Sequence, residues 1–312
     1  MNIYIYGTGA VGSFIGSLIA ETNPNTLFLS RGNTFKDIKQ NGLSLKTNKC
    51  THSTIYPKIF DTQIINNISD LPFYPDLVIY CVKSYHNEES INYLKHLFDR
   101  KIPYILSLQN GFKSTEDLNE IFGKNILTGA AYVDAILHIN GKINETGGDP
   151  KIIIGSMYDP KIDLLNDFHK TIHSEELSVI VDKDIKSVIW RKLMYISSLS
   201  GIMCLYRQPL ENILSDKISQ NILWNLISET YNTAIKDNAN ISESEIKKVY
   251  DELYNNQPNS ISSMYEDMKK SNSIEVDAIQ CYVSNIAKSK NLKVPYTDLV
   301  SSVLTKYRNF RM

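Results

Sequence analysis

The run Asn2-Ile3-Tyr4-Ile5-Tyr6-Gly7-Thr8-Gly9-Ala10-Val11-Gly12 decides the fold. Its first five residues are mostly β-branched or aromatic and predict a buried strand over 2–6. Ala10–Glu21 has helical composition, and Thr26–Leu29 is a second strand-like run. Between strand and helix lies G-x-G-x-x-G. Its first glycine permits a tight turn, the second lets the backbone approach a pyrophosphate, and the third lets the helix pack closely on the strand. Further buried-strand candidates follow at 77–82, 104–108 and 152–154, with helical stretches at 88–98 and 114–122. That alternation predicts an α/β fold, with an N-terminal Rossmann-type doubly wound sheet and helices on both faces. Asn140-Gly141-Lys142 reads as the turn of an antiparallel hairpin added at the sheet edge, with Gly147-Gly148 interrupting its second strand. Beyond Asp182-Lys183-Asp184 the segments are rich in Leu, Ile, Lys, Glu and Ser at helical spacing, broken at Pro209, Pro258 and Pro295. The expected domains are therefore 1–183, the dinucleotide-binding part, and 184–312, an all-helical C-terminal domain.

A chain of 312 residues with 42% apolar content has room for two cores of its own. Its 33 Lys+Arg against 34 Asp+Glu give no general attraction to a phosphate backbone, which argues against nucleic acid as a partner. Cys50, Cys81, Cys204 and Cys281 show no C-x-x-C spacing, so free thiols in a reducing, cytoplasmic setting are expected and no metal is. The apolar stretch 9–20 lacks the basic residues of a signal peptide, the first being Arg31. No uninterrupted apolar run approaches the roughly 18 residues that span a bilayer, so no membrane partner is expected.

The end of the second strand bears on which dinucleotide is taken. NAD sites usually carry Asp or Glu there, roughly 20 residues past the glycines, bonded to the adenosine ribose. Here the sequence is Phe28-Leu29-Ser30-Arg31-Gly32-Asn33, with no acid. Ser30 can hydrogen-bond a 2′-phosphate and Arg31 can pair with it, so NADP (as NADPH) is the expected cofactor. Gly7, Thr8, Gly9, Ala10, Val11 and Gly12 would hold the pyrophosphate. Lys83 and Asn110, each following a predicted strand, should emerge at the ligand end of the sheet. Lys83 would bring charge to a phosphate or ribose, and Asn110 donor and acceptor groups to the nicotinamide.

Two later segments carry a family likeness: Trp190-Arg191-Lys192-Leu193-Met194, and Ser262-Ser263-Met264 followed by Ile274-Glu275-Val276-Asp277. With the glycine run, Arg31, Val82-Lys83 and Asn110-Gly111, they resemble the ketopantoate reductase (2-dehydropantoate 2-reductase) family in order along nearly the whole chain. The resemblance implies NADPH-dependent reduction of the 2-oxo group of ketopantoate to pantoate, a step towards pantothenate. It further implies Lys192 as general acid, Glu275 as its catalytic partner, and Asn110 and Ser263 as substrate or cofactor contacts. The chemistry is coherent, because hydride addition to a ketone leaves an alkoxide that an ammonium can stabilise and protonate. Members commonly carry Asn four and eight residues after the lysine; this chain has Ile196 and Ser200 there. Lys192, Ile196 and Ser200 form one helical stripe, with Ser200 the remaining polar candidate for substrate. The missing amide keeps open a reductase of another 2-oxo acid, or a non-catalytic NADP-binding sensor.

Other features are weaker. His169 and His173 stand four apart, but no H-E-x-x-H pattern or third ligand accompanies them. Tyrosines around 250–265 read as helix packing. Apolar faces on the terminal helices could serve either a homodimer or the domain core.

Overall fold

The computed structural model describes residues 1–158, 162–256 and 260–309. The chain divides into two compact units, 1–109 with 114–185, and 110–113 with 186–312. The second thus takes in four residues from the first half of the chain, which a single cut at 183 leaves out.

In chain order the first unit contains β1 (Ile3–Tyr6), α1 (Ala10–Thr22), β2 (Thr26–Ser30), α2 (Gly32–Asn41), β3 (Ser44–Lys46), β4 (Lys58–Asp61), β5 (Leu77–Tyr80), α3 (Asn87–Leu97) and β6 (Tyr104–Ser107). It continues with α4 (Lys113–Phe122), β7 (Ile126–Leu137), β8 (Lys142–Gly155), α5 (Ile162–Ile172) and β9 (Ser178–Val181). The sheet order is β3-β8-β7-β6-β5-β1-β2-β4, with β9 also paired to β8. From β4 to β7 all pairings are parallel, and the order reverses on either side of β1. Loops after β1 and β5 therefore flank the switch point, where doubly wound sheets bind ligands.

Strand alternation builds two cores. Ile3, Ile5, Phe28, Leu77, Ile79 and Leu106 pack with Phe14, Ile15, Leu18 and Ile19 of α1 and with Leu165 and Phe168 of α5. Tyr4, Tyr6, Leu27, Leu29, Val78, Tyr80 and Ile105 pack with Ile91, Leu94 and Leu97 of α3 and Leu118 and Phe122 of α4. Each strand covered on both faces reads as an almost unbroken apolar run.

The predicted hairpin exists, with β7 and β8 antiparallel and Asn140 at φ 67° in the turn. It does not form the sheet edge, because β3 and β9 both pair with β8 in parallel beyond it. The strand expected at 152–154 is the end of the longer β8, whose ladder shifts register opposite Tyr132–Ala135.

The second unit is helical: α6 (Ile185–Tyr206), α7 (Leu210–Ile213), α8 (Lys217–Lys236), α9 (Ser244–Asn255), α10 (Ser263–Lys269), α11 (Gln280–Ser289) and α12 (Pro295–Leu304). Pro209 precedes α7 and Pro295 opens α12, as breaks at those positions require; Pro258 lies outside the described residues. Among the described residues α6 alone is long and apolar enough, by length and composition, to cross a membrane. The sequence reading missed it by counting uninterrupted runs, since Arg191 and Lys192 punctuate the helix. In the fold 72% of its apolar window is buried, with Trp190, Leu193, Met194 and Ile202 at the centre of the unit.

Candidate active site

The glycine loop joins β1 to α1 in a geometry that only glycine permits at two points. Gly7 has φ 96°, and a Cβ there would stand 2.5 Å from the Val82 amide nitrogen. A Cβ on Gly12 would fall 2.0 Å from the Gly7 carbonyl oxygen. Thr8 Oγ1 and Ser30 Oγ share a hydrogen bond of 2.5 Å, and Ser13 Oγ donates to the Thr8 carbonyl at 3.0 Å, which pins the loop to β2 and α1. Gly9 differs. It caps α1 with no side-chain hydrogen bond, and a Cβ built on it meets nothing within 4 Å. Ala10 and Val11 form the first turn of α1, which carries no acidic residue. The helix N-terminus therefore presents its amides and positive dipole end beside open space, as a pyrophosphate requires. Cys81 lines this turn, where burial pushes its thiol up to about 12 and keeps it neutral.

At the end of β2 the arrangement departs from expectation. The Ser30 hydroxyl is hydrogen-bonded to that of Thr8, and Ser30 is buried. Arg31 points outward, but its Nη1 lies 2.5 Å from Oε1 of Glu89 in the first turn of α3. The hydrogen bond from Arg31 holds the Glu89 carboxyl below its ordinary value. Burial, followed by the Arg31 charge, lowers His86 on the same connection. Glu89 and His86 do not stand at the end of β2, where an acid would be expected from sequence; they follow β5, which lies two strands from β2 on the far side of β1. The available signal was Lys83-Ser84-Tyr85-His86-Asn87-Glu88-Glu89 directly following β5.

Lys83 stands half-buried three residues past β5. Nearby, Gln109 turns inward and donates to the Val82 carbonyl and, at 3.0 Å, to Asn87 Oδ1. Asn87 also accepts from the Tyr80 hydroxyl and donates to Ser114 Oγ at 2.7 Å, a buried network that ties together the ends of β5 and β6.

In the second unit α6 positions the W-R-K-L run by helical rotation. Trp190 is fully buried and donates to Asp237 Oδ2 at 3.1 Å, and Asp237 also pairs with Lys186 at 2.9 Å. Arg191 Nε lies 3.9 Å from a Glu245 oxygen, Leu193 is buried, and Lys192 is half-buried. The 110–113 turn packs against this helix. Phe112 stacks on Tyr282 with ring centres 5.5 Å apart and contacts Trp190 at 5.2 Å. Gly111, at φ 80°, would carry a Cβ 2.6 Å from the Ala278 carbonyl and 3.7 Å from Leu193 Cδ2. Half-buried Asn110 is thereby carried next to segments adjoining Lys192 and Glu275.

Glu275 is 7% exposed and lies in the turn-rich lead into α11. Asp277, two residues on, is exposed and pairs with Arg308 at 2.6 Å. Ser263 is the exposed first residue of α10, while buried Ser262 caps the helix by accepting from the Tyr265 amide. Ser200 is buried at 4% exposure; its hydroxyl donates to the Ile196 carbonyl at 2.6 Å and accepts from Gln280 Nε2 at 2.7 Å. Both hydrogen bonds of that hydroxyl are thus made within the helical unit. Gln280, unremarked in the sequence, also donates to the Ser197 carbonyl at 3.0 Å.

The family model described as ketopantoate reductase PanE/ApbA matches residues 3–159, and its C-terminal counterpart matches 184–308. The chain belongs to the ketopantoate reductase family. Relatives span essentially the whole chain at low identity. A Bacillus subtilis protein named uncharacterized oxidoreductase YkpB is 23% identical, covering 98% of this chain and 99% of its own. The 2-dehydropantoate 2-reductase of Pyrococcus abyssi is 25% identical, covering 95% and 94%. Among solved structures, 2-dehydropantoate 2-reductase from Geobacter metallireducens superposes with TM-score 0.87 at 21% identity, covering 98% of this chain and 99% of that one. A D-mandelate dehydrogenase bound to NADH and anilino(oxo)acetate superposes with TM-score 0.85 at 19% identity, covering 99% and 98%. The ketopantoate reductase fold is thus present here in full, a Rossmann-like α/β unit followed by helices.

Proposed function

We propose that this ketopantoate reductase family member is an oxidoreductase that reduces ketopantoate to pantoate at the expense of NADPH. The observation that carries the reading is the packing of the 110–113 turn against Leu193 and Ala278, which gathers the Asn110, Lys192 and Glu275 segments in one unit. When bound, the reduced nicotinamide supplies a hydride to the carbonyl carbon. The protein must meet the charge that then builds on oxygen. The Lys192 ammonium donates its proton to that oxygen and recovers one from solvent. Glu275 keeps Lys192 charged and oriented, since a neighbouring carboxylate favours the ammonium form. Asn110 and Ser263 supply hydrogen bonds to substrate or cofactor. Gly7, Thr8, Gly9, Ala10, Val11 and Gly12 cradle the pyrophosphate, with Arg31 and Lys83 meeting the 2′-phosphate and ribose.

A second reading, reduction of a different 2-oxo acid, is favoured by half-buried, apolar Ile196 one turn beyond Lys192 and by the internal engagement of the Ser200 hydroxyl. Loss of NADPH and NADH absorbance with ketopantoate and a panel of other 2-oxo acids decides. The proposal expects the highest kcat/KM with ketopantoate and NADPH. A higher value with another acid supports the second reading, and stoichiometric NADPH binding without turnover of any acid overturns both.

A further inference from the structure

Far from the glycine loop, the first unit brings together a thiol, an imidazole and two carboxylates. After β3 the chain folds back in a tight turn: the Thr47 amide donates to the Cys50 carbonyl and the His52 amide to the Leu45 carbonyl, both at 2.8 Å. Thr47 Oγ1 accepts from the Lys49 and Cys50 amides at 3.2 and 3.1 Å. Two residues apart on extended chain, Cys50 and His52 present their side chains to the same side. Cys50 Sγ lies 3.3 Å from His52 Nε2 and 4.0 Å from Glu176 Oε1, and the three donor atoms all fall within 4.8 Å of one another. Lys49 Nζ bonds the Glu175 carbonyl at 2.5 Å and fastens the turn to the loop that carries Glu176.

The orientation of His52 is the informative feature. Its Nδ1 faces both carboxylate oxygens of Glu21, at 2.9 and 3.0 Å, and its side chain is only 10% exposed. A proton on Nδ1 bonded to Glu21 leaves the Nε2 lone pair aimed at the space shared with Cys50 and Glu176. A carboxylate behind a histidine is the usual outer support of a metal-bound imidazole. Tetrahedral zinc with ordinary bond lengths separates sulfur from nitrogen or oxygen ligands by about 3.5 Å, which the observed 3.3 and 4.0 Å bracket.

We propose that Cys50, His52 and Glu176 bind a borderline-soft divalent cation of the zinc class, with Glu21 as the outer support of His52 and the fourth position open. Glu21 lies in the last turn of α1, about 17 Å along the helix from its phosphate-facing end. The ion therefore acts as a clamp joining α1, the turn after β3 and the loop before β9, and plays no part in cofactor binding.

The test uses the full-length chain, free of affinity tag and stripped by chelator, titrated with Zn²⁺ and separately with Co²⁺ as a spectroscopic probe. One equivalent should bind, with a sulfur-to-cobalt charge-transfer band in the near ultraviolet and a rise in melting temperature. Cys50→Ser should abolish the band, Glu176→Gln should weaken binding, and Glu21→Gln should weaken it about 10–100-fold while leaving every direct ligand in place. His169→Ala, removing one ring of the stacked His169/His173 pair, should change nothing. Circular dichroism of the stripped variants confirms their fold. Absence of stoichiometric Zn²⁺ binding overturns the proposal, as does binding that survives Cys50→Ser or is lost with His169→Ala.

Discussion

Glu89 changes how Arg31 must be read. The sequence shows an arginine where a 2′-phosphate is expected; the structure adds a carboxylate 2.5 Å away that competes for it. With side chains 36% and 67% exposed, such a pair is worth at most about 1 kcal/mol. Glu89→Gln should therefore raise the preference for NADPH over NADH by no more than about fivefold. Arg31→Ala should lower NADPH affinity about tenfold or more and leave NADH nearly unchanged; paired titrations of the two cofactors check both. The lowered His86 charges only below its ordinary value near 6.5, so His86 should add attraction for the phosphate only as pH falls beneath that value. The glycines separate fold from function at the same scale. Gly12→Ala drives a methyl group into the Gly7 carbonyl and should cost about 1–3 kcal/mol of stability along with cofactor binding. Gly9→Ala meets no protein atom within 4 Å, so stability should stay within about 0.5 kcal/mol; under the proposed function its methyl would enter the space assigned to the pyrophosphate, and NADPH affinity should fall. Melting curves beside NADPH titrations distinguish the two outcomes. Gly12 and Arg31 stand in local motifs; Glu89 lies in the legible run after β5, but its pairing with Arg31 58 positions away, like that of Gln280 with Ser200 80 positions away, is encoded in no local pattern.

Among the elements, legibility follows burial. β1, β2, β5 and β6 are covered on both faces and stand out as apolar runs. β3 and β4, of three and four residues at the sheet margins, carry no clear sequence signal; β9, also at the margin, is a short β-branched run that the reading by longer apolar runs passes over. α12 illustrates a further element-level dependence. Its own N-cap residue, Val294, supplies no side-chain hydrogen bond; Glu229 of α8 instead accepts from the Tyr296 amide at 3.0 Å and from the Thr297 amide and hydroxyl at 2.7 Å each. Glu229 is 8% exposed, so Glu229→Ala strands buried donors and removes a charge that favours the helix dipole. A loss of at least about 2 kcal/mol in denaturant unfolding is expected, with Glu229→Gln intermediate. An unchanged midpoint in the alanine variant would show that water caps the helix equally well.

Over the whole molecule, chain order announces the Rossmann-like start and the helical end, but not the return of residues 110–113 to the second unit. That return depends on Phe112 meeting Trp190 and Tyr282, aromatic contacts spanning 78 and 170 positions that no local pattern encodes. It also gathers the segments from which the catalytic proposal is built. The most direct test measures kcat for ketopantoate-dependent NADPH oxidation at saturating substrates in the native chain and in Lys192→Ala, after matching their melting curves and NADPH affinities. A general acid at Lys192 predicts a fall of about 10²–10⁴-fold. An undiminished kcat in the variant would contradict it.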